Sequence, residues 1–246
     1  MENLNNSTII RNISFDQKEI LYNIMTLHNN GKAFDCDMTA SALKFYDKNI
    51  DKNKPNQIPI PKILFDVYPQ SEDIIKIEPF KPLPLADNSI HSIVIDLPFC
   101  ISPHNAPSVL NPKNGSNIIQ KRFSSWYPAN EGYENMYWWL SESNRVIDDG
   151  GIIIYKMQST VSGGKQHQFT PFSFIVAQSL GLYVLDEFIL EAKARLISSS
   201  KYKAQQHARR YTSTFWVFKK DSKKGKGTNC FDILEECKNK FNINNL

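Results

Sequence analysis

The sequence predicts an α/β fold, a three-layer sandwich whose central sheet is mostly parallel and has about seven strands, the last of them antiparallel. Three observations predict it. The run Ile93-Val94-Ile95 is apolar at every residue, as befits a strand covered on both faces. A second such run, IIIYKM at 152–157, follows Asp149-Gly150-Gly151, which reads as a tight turn. Helical-period segments recur between the earlier extended segments, whereas YVLDEFIL (183–190) and STFWVF (213–218) follow one another as an antiparallel pair.

The elements come in order along the chain. Ser14-Phe15-Asp16-Gln17 has the form of a capping box, and Ile20, Leu21, Ile24 and Met25 then share one face of a helix spanning 14–30 that Asn29-Asn30-Gly31 ends. KAFDCDM (32–38) is extended, a short helical stretch runs through Phe45, and KILFDVY (62–68) and DIIKIE (73–78) are strands. KPLPLADNS leads into the strand at 90–95. After a long loop, YENMYWWLSESNRVI (133–147) carries an apolar helical face. Thr170-Pro171 has the order of a helix start, and FSFIVAQSL then ends at Gly181. These elements form one domain over 1–220, followed by a lysine-rich tail at 221–246 expected to be loosely ordered.

Composition narrows the class. The chain has 246 residues, 41% of them hydrophobic, enough for a sizeable single core. No stretch approaches the roughly 18 apolar residues of a membrane span, and the polar start lacks the pattern of a signal peptide. An intracellular protein is expected, cytoplasmic or nuclear. Cys36, Cys100, Cys230 and Cys237 have neither zinc spacing nor a paired framework, so reduced thiols and no metal are expected. With a net charge of +4, any nucleic-acid contact depends on where the basic residues lie.

The chemistry concentrates where the apolar run stops, at Asp96-Leu97-Pro98-Phe99. In open α/β sheets ligands bind outside the carboxyl ends of the strands, which makes Asp96 the first polar group a ligand meets. The tetrapeptide resembles the Asp-x-Pro-aromatic signature of S-adenosylmethionine-dependent methyltransferases acting on exocyclic amino groups of bases. Two flanking passages, LPLADNSIHSIVIDLPF and ESNRVIDDGGIIIYKMQ, are similar to the segments leading into the fourth and fifth strands of that family. The resemblance spans about residues 30–220 and implies a Rossmann-like methyltransferase sheet. It comes nearest to bacterial and phage-type DNA methylases without a large inserted recognition domain.

An exocyclic amine is a poor nucleophile because its lone pair is delocalised into the ring. Two acceptors fixed in one plane, the Asp96 carboxylate and the Leu97 carbonyl, can take its two hydrogens and aim the lone pair at a methyl donor. Pro98 stiffens the turn and Phe99 offers a face for stacking. A target base in a duplex must first leave the stack.

The resemblance also implies a cofactor site for S-adenosylmethionine. Related methylases resemble Asp-x-Thr-x-Ser-x-Gly-x-Phe-Tyr after the first strand, which Asp37, Thr39, Ser41, Phe45 and Tyr46 match, while Leu43 stands at the glycine. Asp66 is expected at the ribose hydroxyls and Glu78 near the adenine. Asp35 and Asp37 compete for the methionine amino group.

Nucleic acid is the expected partner. A target loop over 100–132 carries Lys113, Lys121, Arg122, Phe123 and Trp126, basic residues interleaved with aromatics. A basic hairpin over 191–212 carries Lys193, Arg195, Lys201, Lys203, Arg209 and Arg210. No segment is long enough for a separate recognition domain, so target specificity falls to these loops, to a protein partner or to a homodimer. The leading expectation is a DNA amino-methyltransferase, adenine N6 ahead of cytosine N4. The alternatives are an RNA base methyltransferase and a non-catalytic methyltransferase-fold subunit that binds nucleic acid.

Overall fold

The computed structural model describes residues 9–51, 53–102, 124–193, 207–221 and 229–241. Its first elements are β1 (Ile13–Ser14) and α1 (Gln17–His28). Asp16, not Ser14, caps α1: its Oδ1 accepts the Lys18 N–H at 2.9 Å. Ser14 braces the cap from outside by donating to Glu19 at 2.5 Å and accepting the Asp16 N–H. The helix buries Ile20, Leu21, Ile24 and Met25, as their spacing predicts.

Five strands run parallel in the order β4-β3-β2-β5-β6: β2 (Cys36–Asp37), β3 (Ile63–Asp66), β4 (Ile75–Lys76), β5 (Ile90–Asp96) and β6 (Ile147–Met157). Beyond β6 lies β10 (Thr212–Lys219), antiparallel to β6 and to β9 (Tyr183–Glu191). Among the described residues the sheet has eight strands, not seven, because the two-residue β1 adds to the edge of β9. β7 (Thr160–Ser162) and β8 (Lys165–His167) form a separate hairpin turned by Gly163 and Gly164, both at positive φ.

Side-chain alternation explains the all-apolar strands. Ile93, Ile95, Ile153 and Tyr155 pack toward α2 (Ala129–Val146) and α3 (Phe169–Ser179), against Trp139, Leu140, Phe169 and Val176. Val94, Ile152 and Ile154 point the other way, to Ile20, Leu21 and Ile24 of α1. Both faces are covered, giving the three layers.

Several boundaries differ from the sequence reading. The stretch through Phe45 is a series of turns, with Ser41 at φ 46° and Leu43 at φ 55°. The target loop stops short of 132 because α2 already begins at Ala129. α3 begins at Phe169, so its N-cap is Gln168 and Pro171 falls inside the first turn. Part of the tail is helical: α4 (Cys230–Phe241) starts where Asn229 and Cys230 donate hydrogen bonds to Gln178 at the end of α3.

The two passages flanking β5 and β6 prove to be one structural unit. Arg145 of α2 pairs with Glu142 and with Asp87 and donates to the carbonyls of Leu83 and Leu85, while Glu142 accepts the Leu83 N–H at 2.6 Å. Burial pushes the Glu142 carboxyl up, but these hydrogen bonds outweigh it and hold the group below its usual range. The approach to β5 is thereby locked to the helix that precedes β6.

Asp149-Gly150-Gly151 is not a turn before β6 but a bulge within it, where pairing jumps from Ile90↔Ile147 to Ser92↔Ile152. Gly150 takes φ 86°, and a Cβ on Gly151 would sit 2.6–2.7 Å from Ile147 Cγ1, Asp148 Oδ1 and the His91 carbonyl. The backbone oxygen cannot swing aside as a flexible side chain could. Gly151→Ala is therefore expected to destabilise the protein by about 1–3 kcal/mol through overpacking, read as a lower urea midpoint at unchanged m-value.

Candidate functional site

Chain order reverses between β2 and β5. β3 and β4 extend the sheet on one side of β2, while β5 and β6 extend it on the other. Such a switch point opens a crevice outside the carboxyl ends of the two strands, where Asp37 and Asp96 sit.

Asp37 is buried and fully engaged. Its Oδ1 accepts the Thr39 amide at 2.7 Å and the Thr39 hydroxyl at 3.2 Å, and its Oδ2 accepts the Tyr46 hydroxyl at 2.6 Å. The Thr39 oxygen accepts in turn the Asp96 N–H at 2.8 Å. Asp66, ending β3, accepts the Ser41 amide at 2.8 Å and the Tyr68 amide at 2.6 Å. The Met38 and Ala40 amides donate to the Val94 and Phe65 carbonyls. The turn after β2 is thus stapled to β5 on one side and β3 on the other. Leu43 holds its left-handed backbone in this turn because its side chain packs against two apolar clusters, one around Phe34 and Ile58 and one around Ala40, Leu64 and Ile74.

Desolvation dominates the electrostatics here. Burial pushes the Asp37 carboxyl from its usual 3.8 to about 7, against the Tyr46 and Thr39 hydrogen bonds that favour the charged form. Burial also raises Asp66, opposed by its backbone donors. The Tyr46 hydroxyl is raised by burial and by the neighbouring Asp37.

At the end of β5, Asp96 lies in register with Lys156 of β6, and its Oδ2 is 2.8 Å from the Lys156 ammonium. That ammonium sits 5.4 Å from the centre of the Phe45 ring and 5.7 Å from that of Phe215, with Gln17 Oε1 at 3.5 Å. Leu97 is buried, Phe99 is half-buried against the α2 side of the core, and the Pro98 carbonyl accepts the Trp126 indole N–H. The Trp126 amide donates to the Cys100 carbonyl, and the Trp126 carbonyl accepts the Ser102 N–H, both at 2.9 Å.

Of the residues expected from the sequence, Asp37, Thr39, Ser41, Tyr46, Asp66 and Asp96 converge on this crevice through the bonds above, and Phe45 reaches it over Lys156. Three do not. Asp35 faces the opposite, amino edge of the sheet, where it accepts the His91 and Ser92 amides and the Ser92 hydroxyl. Glu78 is exposed and pairs with Lys81 at 2.6 Å, because β4 ends at Lys76. Trp126, only 1% exposed, braces the turn after Asp96 and cannot stack on a ligand.

Among the basic residues, Lys113, Lys121, Arg122, Arg195, Lys201 and Lys203 lie outside the described residues, as does Phe123. Lys193 is exposed over the Phe15 ring at 5.5 Å. Arg209 is exposed, and Arg210 donates to Gln166 at 2.7 Å, joining the start of β10 to the β7–β8 hairpin. Among the described residues no group of three His, Cys, Asp or Glu side chains could hold a metal ion, and no helix is long and apolar enough to cross a membrane.

Sequence reasoning missed Lys156 and the β7–β8 hairpin. A charged residue inside the apolar run IIIYKM was the available signal for the first. The Gly163-Gly164 pair was the signal for the second.

A scan against protein-family models gives no match, and a search of curated proteins gives none. Among solved structures, the chain is similar to a protein described as a DNA modification methylase from Thermus thermophilus, at 13% identity and TM-score 0.33 over 59% of this chain and 50% of that one. It is similar to the PvuII cytosine-N4-specific DNA methyltransferase at 15% identity and TM-score 0.33, over 55% and 44% of the two chains. A protein described as a methyltransferase from Thermoplasma acidophilum is similar at 12% identity and TM-score 0.30, over 86% and 67%. The matched regions cover about half the length of the first two proteins.

The Asp37 shift has a consequence for stability. The folded protein binds a proton that the unfolded chain releases near pH 3.8, so stability is greatest on the acid side of that window and falls as pH rises from about 4 through about 7. Urea unfolding at a series of pH values is expected to show this loss, and Asp37→Asn, which cannot ionise, to reduce it.

Proposed function

We propose that the protein is an S-adenosylmethionine-dependent methyltransferase acting on an exocyclic amino group of a nucleic-acid base, adenine N6 ahead of cytosine N4 and DNA ahead of RNA. The observation that carries this reading is Asp96-Leu97-Pro98-Phe99 at the carboxyl end of a buried central strand. There it adjoins the Asp37–Thr39 turn at the switch point of the sheet.

The residues present fit a nucleoside cofactor at Asp66. Its two oxygens accept backbone N–H groups from Ser41, Tyr68 and Val67, which leaves a carboxylate, with about four acceptor positions, room for a ribose hydroxyl. Ser41, exposed beside it, offers a further hydroxyl. Asp37 does not fit a direct contact, since it is buried and bonded within its own turn. Its part is to shape the turn that would receive the cofactor. When bound, the cofactor supplies an electrophilic methyl group on a sulfonium.

The chain's own residues do the rest. Asp96 and the Leu97 carbonyl accept the two amine hydrogens and turn the nitrogen lone pair out of conjugation. Thr39, holding the Asp96 amide, and Trp126, holding the Pro98 carbonyl, fix the turn from both ends. Phe99 stacks on the base, worth about 1–3 kcal/mol. Arg209, Arg210 and Lys165 are exposed where β6 and its hairpin end, and suit phosphate contacts along the strand carrying the target.

Calorimetric titration with S-adenosylmethionine tests the reading, and binding no tighter than about millimolar, roughly 4 kcal/mol, would leave the non-catalytic subunit as the better account. Asp96→Ala is expected to keep cofactor affinity while kcat for methyl transfer falls by a factor on the order of 10² or more, with KM changing less. Phe99→Ala should raise KM as well, because stacking already acts in the ground state. If folded Asp96→Ala protein methylates within about threefold of the wild type, less than half a decade and under 1.4 kcal/mol, the mechanism fails.

A further inference from the structure

Lys156 is the one charged residue in the segment Ile152–Met157, whose other members are fully buried or nearly so, and is itself 9% exposed. Placing an ammonium there is costly, and an apolar side chain of similar length would fill the same space without that cost. What the charge has in return is local: Asp96 Oδ2 at 2.8 Å, the Phe45 and Phe215 rings, and the Gln17 amide oxygen at the start of α1. Lys156 is thus spent on Asp96 from within a cage of its own.

The geometry restricts what Asp96 can do. An ammonium has three donors and no acceptor, so the Asp96 oxygen facing it serves as an acceptor. That bond engages Oδ2, so Oδ1 is the oxygen offered to an incoming group. A carboxylate fixed in this way welcomes an N–H donor and opposes a carbonyl oxygen, whose lone pairs would face its own. Phe45 belongs to the turn after β2, so the cage that holds Lys156 forms only when that turn is in place.

We infer that Lys156 is a positioning residue that commits Asp96 to accepting hydrogen bonds, and so restricts the site to bases presenting an amino group. The inference rests on the reading of Asp96 as the contact for the target base. It is carried by the 2.8 Å pair and its aromatic cage.

The test measures binding and turnover separately. Fluorescence polarisation compares a single-stranded DNA containing adenine and cytosine with its deaminated counterpart containing hypoxanthine and uracil. Wild type is expected to prefer the amino-bearing strand by about fivefold or more, about the scale of a single hydrogen bond. Lys156→Met should abolish the preference, Lys156→Arg should keep most of it, and adding Lys156→Met to Asp96→Ala should change nothing further. Methyl transfer by Lys156→Met should fall at least about tenfold in kcat, with unchanged calorimetric affinity for S-adenosylmethionine. Three results overturn the inference: no preference in the wild type, a preference kept in Lys156→Met, or a loss that persists independently of Asp96. A wild type that prefers the amino-bearing strand yet transfers no methyl group would instead sink the proposed reaction and leave the role of Lys156 standing.

Discussion

The hydroxyl of Thr39 joins the two strand ends on which everything else rests. It donates to the buried Asp37 carboxylate and accepts the amide of Asp96, so the first strand of the parallel set and the strand carrying the candidate reactive group share one hydrogen-bonded path. Tyr46 closes the path from the far end of the turn, and Asp66 anchors its middle through Ser41. Because the Tyr46 bond is buried and the Thr39 bonds are partly so, their geometry is stiffer than an exposed turn of the same residues would have. A strand register fixes where Asp96 is, and this path fixes how its backbone is oriented.

Much of the fold was legible in the sequence because periodicity reports burial. The all-apolar runs at 93–95 and 152–155 read as strands with two covered faces, and they are. What the sequence hid was pairing across long separations. Nothing local marks Ile13–Ser14 as an edge strand, since its partner at Ile189–Leu190 lies far along the chain. The glycines of the β6 bulge look like a turn, and the bulge becomes visible only against the register of β5. At the site, Asp66 and Asp96 stood out because they end apolar strands, and Thr39 only through the resemblance of its segment to a methylase pattern. Asp35 and Asp37, two residues apart, could not be told apart until the sheet showed that they face opposite edges. Lys156 was missed because a lysine in an apolar run means little until its register partner is known.

Arg145 illustrates the same point on the other side of the sheet. Its guanidinium gathers Glu142, Asp87 and two carbonyls, so the two passages that looked like separate signatures are halves of one contact. This contact lies at the amino edge of β5, remote from Asp96 along the strand. The chain therefore secures β5 at both ends, through the Arg145 cluster at the start and, at the finish, through the Thr39 hydroxyl on the Asp96 amide and Lys156 on its carboxylate.

The bonds between Trp126 and the segment Cys100–Ser102 form a neck. Trp126 exchanges backbone bonds with Cys100 and Ser102, packs against Gly132 of α2, where even a methyl group would collide with its ring, and reaches Pro98 with its indole. The shape of the four residues after β5 is thereby set by a residue that returns from far along the chain, and not by the local sequence of the turn alone.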